Sequence, residues 1–305
     1  MLHFETLDIG HHARLAPFFA RQPSWLSSYS LGSLIAWRNA DGFVVRFAID
    51  HDAAILVAQH KKDTQLSHLI LPVPSVGWPP EQLVRLCQES GVSRLWFIPD
   101  NYLQTHGLEA IAALFDVAEQ PEYADYVFLS RDLAELKGKR YSKKRNLITQ
   151  FEREYADRDR VHVEAIDEKN LSDCRVFLEQ WCQERGCDDN PEEMLACEKK
   201  AFQNALAHFR PLGFTGIAVR LDGKICGVGA ASALCEDVGV LHFEKAFTDH
   251  KGLYQYLDRE CARRLFVGRF VYLNKESDMN VPGLRQAKSS YFPIQKIKSY
   301  LLTLR

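Results

Sequence analysis

The sequence predicts an α/β (α+β) protein of two units, each a mixed, mostly antiparallel sheet flanked by helices. Three observations predict it. The 305-residue length suits two cores of about 150 residues each. The first half alternates apolar and polar residues at strand period around a hairpin signal, and the second half runs from helical to strand patterning and back. With 46% apolar and 26% charged residues the chain can bury a sizeable core.

In the first unit, 14–21 reads as a short helix, and 43–49 and 53–58 as strands joined through Asp50-His51-Asp52, a turn-prone tripeptide. Pro79-Pro80 opens a helix through Glu89, Gly91 ends it, and 94–98 is the next strand. After a strand at 126–129 the composition changes to the basic run Lys137-Gly-Lys-Arg-Tyr-Ser-Lys-Lys-Arg, which places the boundary between units near residue 135: 1–135 and 136–305.

The second unit starts with a helix over 143–155, capped by Ser142, with Leu147, Ile148 and Phe151 toward the core. A strand (161–166) and two helices (171–185 and 192–208) follow. Asp222-Gly223, both tolerant of positive φ, joins strands 214–221 and 224–234, and 238–246 is a third. A helix (252–266), a strand (269–274), a short helix (283–291) and a strand (297–304) that closes the sheet complete the order. Such an order in the second unit is the one expected of a GNAT-type acyltransferase domain, an analogy of fold.

The net charge of −2 gives no global attraction to nucleic acid or anionic membrane, so anion binding must come from local patches. The opening MLHFETLDIGHHAR shows no basic segment followed by an apolar run, which points to the cytoplasm. The uncharged stretch 64–80 carries four prolines and 225–235 has 11 residues, short of the roughly 20 a spanning helix needs. Eight cysteines are too sparse for a disulfide scaffold. Cys182, Cys187 and Cys197 with His208 lack the short Cys-x2-Cys clip, so no metal is expected.

The basic run sits at a helix start, where cations oppose the macrodipole and an anion would relieve them. Lys139, Arg140, Lys143, Lys144 and Arg145 are therefore candidates for phosphates of a tRNA, lipid or nucleotide, while a solvated charged linker explains the run equally well. Gly227-Val-Gly-Ala-Ala lies inside a strand, the wrong context for a dinucleotide loop; its small residues suit close approach of a helix or ligand. The turn Asp249-His250-Lys251-Gly252-Leu253 lies where GNAT enzymes bind the coenzyme A pyrophosphate, yet carries one glycine of their Arg/Gln-x-x-Gly-x-Gly/Ala pattern, so coenzyme A is weakly supported. Alternation sends Glu244 and Lys245 to opposite faces, leaving one to act in a cleft, with a sheet-edge ion pair as the competing account. Arg285 and Lys288 share a helix face that Asp278 can reach from the loop before it; this set could hold an oxyanion or phosphate, or form a surface salt-bridge network.

Three segments carry a resemblance: Gly138 to Asn146; His242-Phe-Glu-Lys-Ala246 with Lys251-Gly-Leu-Tyr254; and Asn274 through Tyr291-Phe-Pro293. In order and spacing they resemble the motifs of the phosphatidylglycerol lysyltransferase C-terminal family, and Ser27-Ser-Tyr-Ser-Leu-Gly-Ser-Leu-Ile-Ala-Trp37 is similar to its N-terminal lobe. The resemblance implies tandem GNAT-like domains, no coenzyme A, and transfer of an aminoacyl group from aminoacyl-tRNA to a lipid hydroxyl, which would bring the protein to the membrane surface. It further implies that Glu244 is base or positioner, that Asp278 and Arg285 orient the acceptor, and that Lys288 offsets negative charge. Lys139, Arg140, Lys143, Lys144, Arg145, Lys251, Gly252, Asn274 and Tyr291 would line the substrate or phosphate side. Departures are Asn-Lys-Glu-Ser-Asp at 274–278, where the family commonly has Asn-Arg-Glu-x-Asp, and Met279-Asn280 where glycine often follows. A coenzyme A-dependent N-acyltransferase, a peptide acceptor and a non-catalytic binding module stay open. The expectation is that Glu244, Asp278, Arg285 and Lys288 surround one pocket beside a phosphate-attracting entrance.

Overall fold

The computed structural model describes residues 2–39, 42–155, 160–187 and 194–305. In chain order the elements are β1 (Glu5–Thr6), α1 (His12–Phe19), α2 (Leu31–Trp37), β2 (Phe43–Asp50), β3 (Ala53–His60), β4 (His68–Leu69), α3 (Pro80–Ser90), β5 (Arg94–Pro99), α4 (Asp100–His106), α5 (Leu108–Ala112), β6 (Phe115–Glu119) and β7 (Asp125–Leu129). There follow α6 (Ser130–Glu135), α7 (Ser142–Glu154), β8 (Val161–Ala165), α8 (Leu171–Arg185), α9 (Met194–Ala207), β9 (Thr215–Leu221), β10 (Lys224–Ala233) and β11 (Val238–Ala246). The chain ends with α10 (Leu253–Cys261), β12 (Tyr272–Asn274), α11 (Pro282–Ser289), β13 (Gln295–Ile297) and β14 (Ser299–Leu304).

These strands form two seven-stranded sheets, β1-β2-β3-β4-β5-β14-β6 and β13-β7-β12-β11-β10-β9-β8. Both are antiparallel except at β4–β5 and β11–β12. This is the mixed, mostly antiparallel architecture of two helix-flanked sheets. The two hairpins form where their turn residues allow: His51 (φ 49°) between β2 and β3, and Asp222 and Gly223 (φ 50° and 80°) between β9 and β10, all adopt the positive φ that tight turns need.

Three local expectations are corrected. The last strand, expected to close the second sheet, lies between β5 and β6 of the first. Conversely β7, placed before the boundary near 135, pairs with β12 and β13 in the second. The sheets thus exchange strands, because side-chain pattern records how strands face and not which strand each meets. Ser142 caps nothing: a 3-10 turn at Lys139–Tyr141 runs straight into α7, so Ser142 is already helical. The expected helix start at 192 lies outside the described residues.

Two apolar clusters hold the fold. One joins the first sheet and α2 to α8, α9 and one face of the second sheet, with Phe202 and Phe243 stacked at 4.4 Å. The other packs the opposite face of the second sheet against α6, α7 and α10. The β10 glycines serve this packing: a Cβ on Gly229 would come within 2.2 Å of the Cys261 sulfur on α10. A bulge between Ala230 and Ala231 in the β10–β11 register leaves His242 without a cross-strand partner, turning it and Phe243 toward the first sheet while Leu241 and Glu244 face α10.

Candidate active site

The centre of the second sheet's α10 side is ionic. Lys275, just beyond β12, places Nζ 2.8 Å from Glu244 on β11 and 2.8 Å from Asp258 on α10. Their side chains are 10%, 16% and 4% exposed, so this is a buried triad. Burial pulls the Lys275 ammonium down, but the Asp258 and Glu244 carboxylates outweigh it and hold the lysine above its ordinary value. Glu244 moves up, driven by burial and then by Asp258, against the pull of Lys275. Lys245 faces the other way, 2.6 Å from Glu198, as strand alternation requires.

Tyr291 closes one side of the triad. Lys144 of α7 lies 4.0 Å and Lys275 5.3 Å from its ring centroid. Burial, Asp258 and Glu244 raise the Tyr291 hydroxyl well above its normal range, and burial lowers Lys144. Lys288 on α11 donates to the carbonyls of Lys275 (2.5 Å) and Ser277 (2.6 Å), pinning the loop that carries Lys275; burial lowers its ammonium too.

That loop leads to Asp278, which accepts from Tyr126 Oη (2.6 Å), Arg285 Nε (3.0 Å) and the Asn280 amide (2.9 Å). Burial alone would raise Asp278; the hydrogen bonds from Arg285, Tyr126 and the Asn280 amide overcome it and lower the pKa to about 2. Backbone strain gathers here, with Glu276, Met279 and Asn280 at φ 57°, 49° and 57°. Asn274, fully buried, donates to Asp125 (2.8 Å) and to the Trp25 carbonyl (2.8 Å), fastening the loop to the first lobe.

Asp125 is 2% exposed and accepts from the Ser27 amide at 2.6 Å. Burial raises its pKa to about 6 from 3.8, with the Ser27 and Asn274 bonds opposing. A raised carboxylate means that the folded chain binds the extra proton, so stability is lost as pH rises between about 4 and 6. The loss should be about 3 kcal/mol. Urea midpoints across this window should show it, and Asp125→Asn should remove that slope; an unchanged slope in the variant contradicts the assignment.

The structure therefore links Glu244, Lys288, Asp278 and Arg285 through Lys275 and its loop, but as an ion-paired chain. A 440 Å³ cavity beside Arg21, His51 and Trp78 and a 690 Å³ cavity beside Ser130, Arg263 and Phe270 both lie elsewhere, and none of the four lines either. Of the basic run, Arg140 pairs with Asp132 (2.8 Å), Arg145 ties the Leu136 and Gly138 carbonyls (2.5 and 2.7 Å), and Lys139 and Lys143 are exposed. Gly252 has a packing reason: at φ 90°, a Cβ there would stand 2.2 Å from the Leu147 carbonyl oxygen, while Lys251 is exposed.

The sequence reading left out Lys275, Asp258, Asp125 and Tyr126, and also a buried cluster in which His242 Nδ1 meets Glu276 (2.7 Å) and Nε2 meets Ser232 (2.8 Å) and Ser30 (3.3 Å). Its one available signal was the polar His242 and Glu276 beside otherwise apolar strands.

The phosphatidylglycerol lysyltransferase, C-terminal family model matches residues 19–303. A conserved protein of unknown function from Bacteroides thetaiotaomicron aligns over 100% of both chains at 27% identity and TM-score 0.87. The C-terminal domain (DUF2156) of a candidate lysylphosphatidylglycerol synthetase from Agrobacterium fabrum aligns over 97% of this chain and 92% of its own, at 15% identity and TM-score 0.64. A search of curated proteins found no match. Among the described residues no helix is long and apolar enough to cross a membrane. With 19–303 of its 305 residues matched, the chain belongs to the phosphatidylglycerol lysyltransferase C-terminal family.

Proposed function

We propose that the chain is an aminoacyltransferase that moves an aminoacyl group from aminoacyl-tRNA to a lipid hydroxyl. Family membership supports a transferase of acyl or aminoacyl groups. One observation carries the finer reading: Lys144, at the basic start of α7, stacks on Tyr291, which packs in turn on the Glu244–Lys275–Asp258 triad. A phosphate-attracting surface thus adjoins a buried carboxylate with raised basicity.

In that reaction the acceptor hydroxyl attacks the aminoacyl ester carbonyl and gives its proton to Glu244. The tetrahedral oxyanion then collapses, and the tRNA terminal ribose hydroxyl leaves with a proton returned from Glu244. Lys288, which has donor capacity beyond its two carbonyls, supplies positive charge nearby, and Asp278–Arg285 shapes the acceptor side. A lipid acceptor is favoured by the segment after Asp278, where Met279, Leu284, Phe292 and Ile294 are 39–48% exposed beside the half-exposed Arg285. Apolar side chains beside a cation suit an anionic membrane surface.

Filter binding of charged tRNA across a salt series tests the entrance. Wild type should bind at low salt, and Lys139→Glu with Lys143→Glu should flatten the log–log salt slope by about 2. Absence of binding at low salt, or the same slope in the variant, removes tRNA from the reading.

A further inference from the structure

The buried Ser232 and His242 and the partly exposed Glu276 form a second constellation that the transfer reaction above does not use. Ser232 lies at the end of β10, His242 in the β11 bulge, and Glu276 in the strained loop after β12. Glu276 Oε1 is 2.7 Å from His242 Nδ1, and His242 Nε2 is 2.8 Å from Ser232 Oγ. With Nδ1–H donating to the carboxylate, Nε2 is left as the acceptor for a serine hydroxyl. Both Ser232 and His242 are 6% exposed, and Ser30 of the first lobe sits 3.2 Å from Ser232 Oγ.

Two features show that this alignment is built. The bulge is what turns His242 to the side where Ser232 and Ser30 lie, and bulges re-aim side chains in this way. Glu276 holds φ 57°, an unfavourable backbone for glutamate, and its amide is fixed at 2.6 Å by the buried Asn274 side chain. The order hydroxyl, imidazole, carboxylate is the one that activates a serine for attack on an ester.

We propose that Ser232 is a nucleophile that takes up a small acyl group from an activated ester. Its Oγ attacks the carbonyl carbon while its proton passes to His242 Nε2. The imidazolium, stabilised by Glu276, then protonates the departing alkoxide, leaving an acyl-serine ester and a free alcohol. A water or acceptor hydroxyl repeats the steps in reverse and frees the serine. Ser30, whose Oγ also accepts from the Ser33 amide at 3.4 Å, steadies the imidazole from the other lobe.

The test uses the full chain with p-nitrophenyl acetate, followed by peptide mass spectrometry. The expected result is a nitrophenolate burst and an acetyl group on Ser232. Ser232→Ala should lose both, and His242→Gln should slow acylation by about 100-fold. No burst from the unaltered chain, or an acetyl group on another residue, overturns the proposal whatever the variants do. Because this ester carries neither RNA nor lipid, either outcome is distinct from failure of the aminoacyl-tRNA reading.

Discussion

Replacing Lys275 with methionine should destabilise the fold by about 3–5 kcal/mol, the cost of leaving buried charges without their partner. Its ammonium stands between Glu244 and Asp258 at 2.8 Å each, and Asp258 Oδ1 already has no hydrogen-bond partner among the described residues. Removing the cation leaves two carboxylates in a site that neither can leave, so one or both must take up a proton. Denaturant midpoints at pH 7 should fall sharply and recover as pH is lowered. Adding Glu244→Gln and Asp258→Asn to Lys275→Met should restore most of the loss, since neutral groups replace the stranded anions. A single-variant loss under about 1 kcal/mol would mean that water solvates the triad, as at an exposed ion pair.

The second large effect is on chemistry. Glu244→Gln should reduce the turnover of aminoacyl transfer by about 10²- to 10⁴-fold, the usual share of a general base. Binding of charged tRNA should hold, because the substitution lies away from Lys139 and Lys143. In the unaltered chain, activity requires the carboxylate form, so turnover should fall as pH drops through a value above the ordinary 4.5 of a glutamate. An acid limb at or below 4.5, or a glutamine variant with near-normal turnover, would reduce Glu244 to a structural partner of Lys275.

What was legible in the sequence was local. Asp222-Gly223 names its own hairpin because two residues suffice to set the turn, and Gly91 ends α3 in the left-handed conformation for the same reason. The alternation at Glu244-Lys245 correctly sends the two side chains to opposite faces. The exchange of β7 and β14 between sheets was not legible, since a strand's pattern fixes its faces and leaves its neighbours open.

The site followed the same rule. Asp278 with Arg285 is near in sequence and could be read from spacing. Lys275 with Asp258, and His242 with Ser30 and Glu276, join residues far apart in the chain, and no local pattern announces them. Gly252 carries a constraint of the same non-local kind, since a Cβ there would stand 2.2 Å from the Leu147 carbonyl oxygen.

The central claim is that the Glu244 triad and the basic start of α7 together form an aminoacyl-transfer site. The most direct measurement follows radiolabelled amino acids from a pool of charged tRNAs into vesicles containing phosphatidylglycerol. The account predicts label in the solvent-extracted lipid, in amounts that depend on Glu244. Label that stays on tRNA, or appears only as free amino acid, would contradict it.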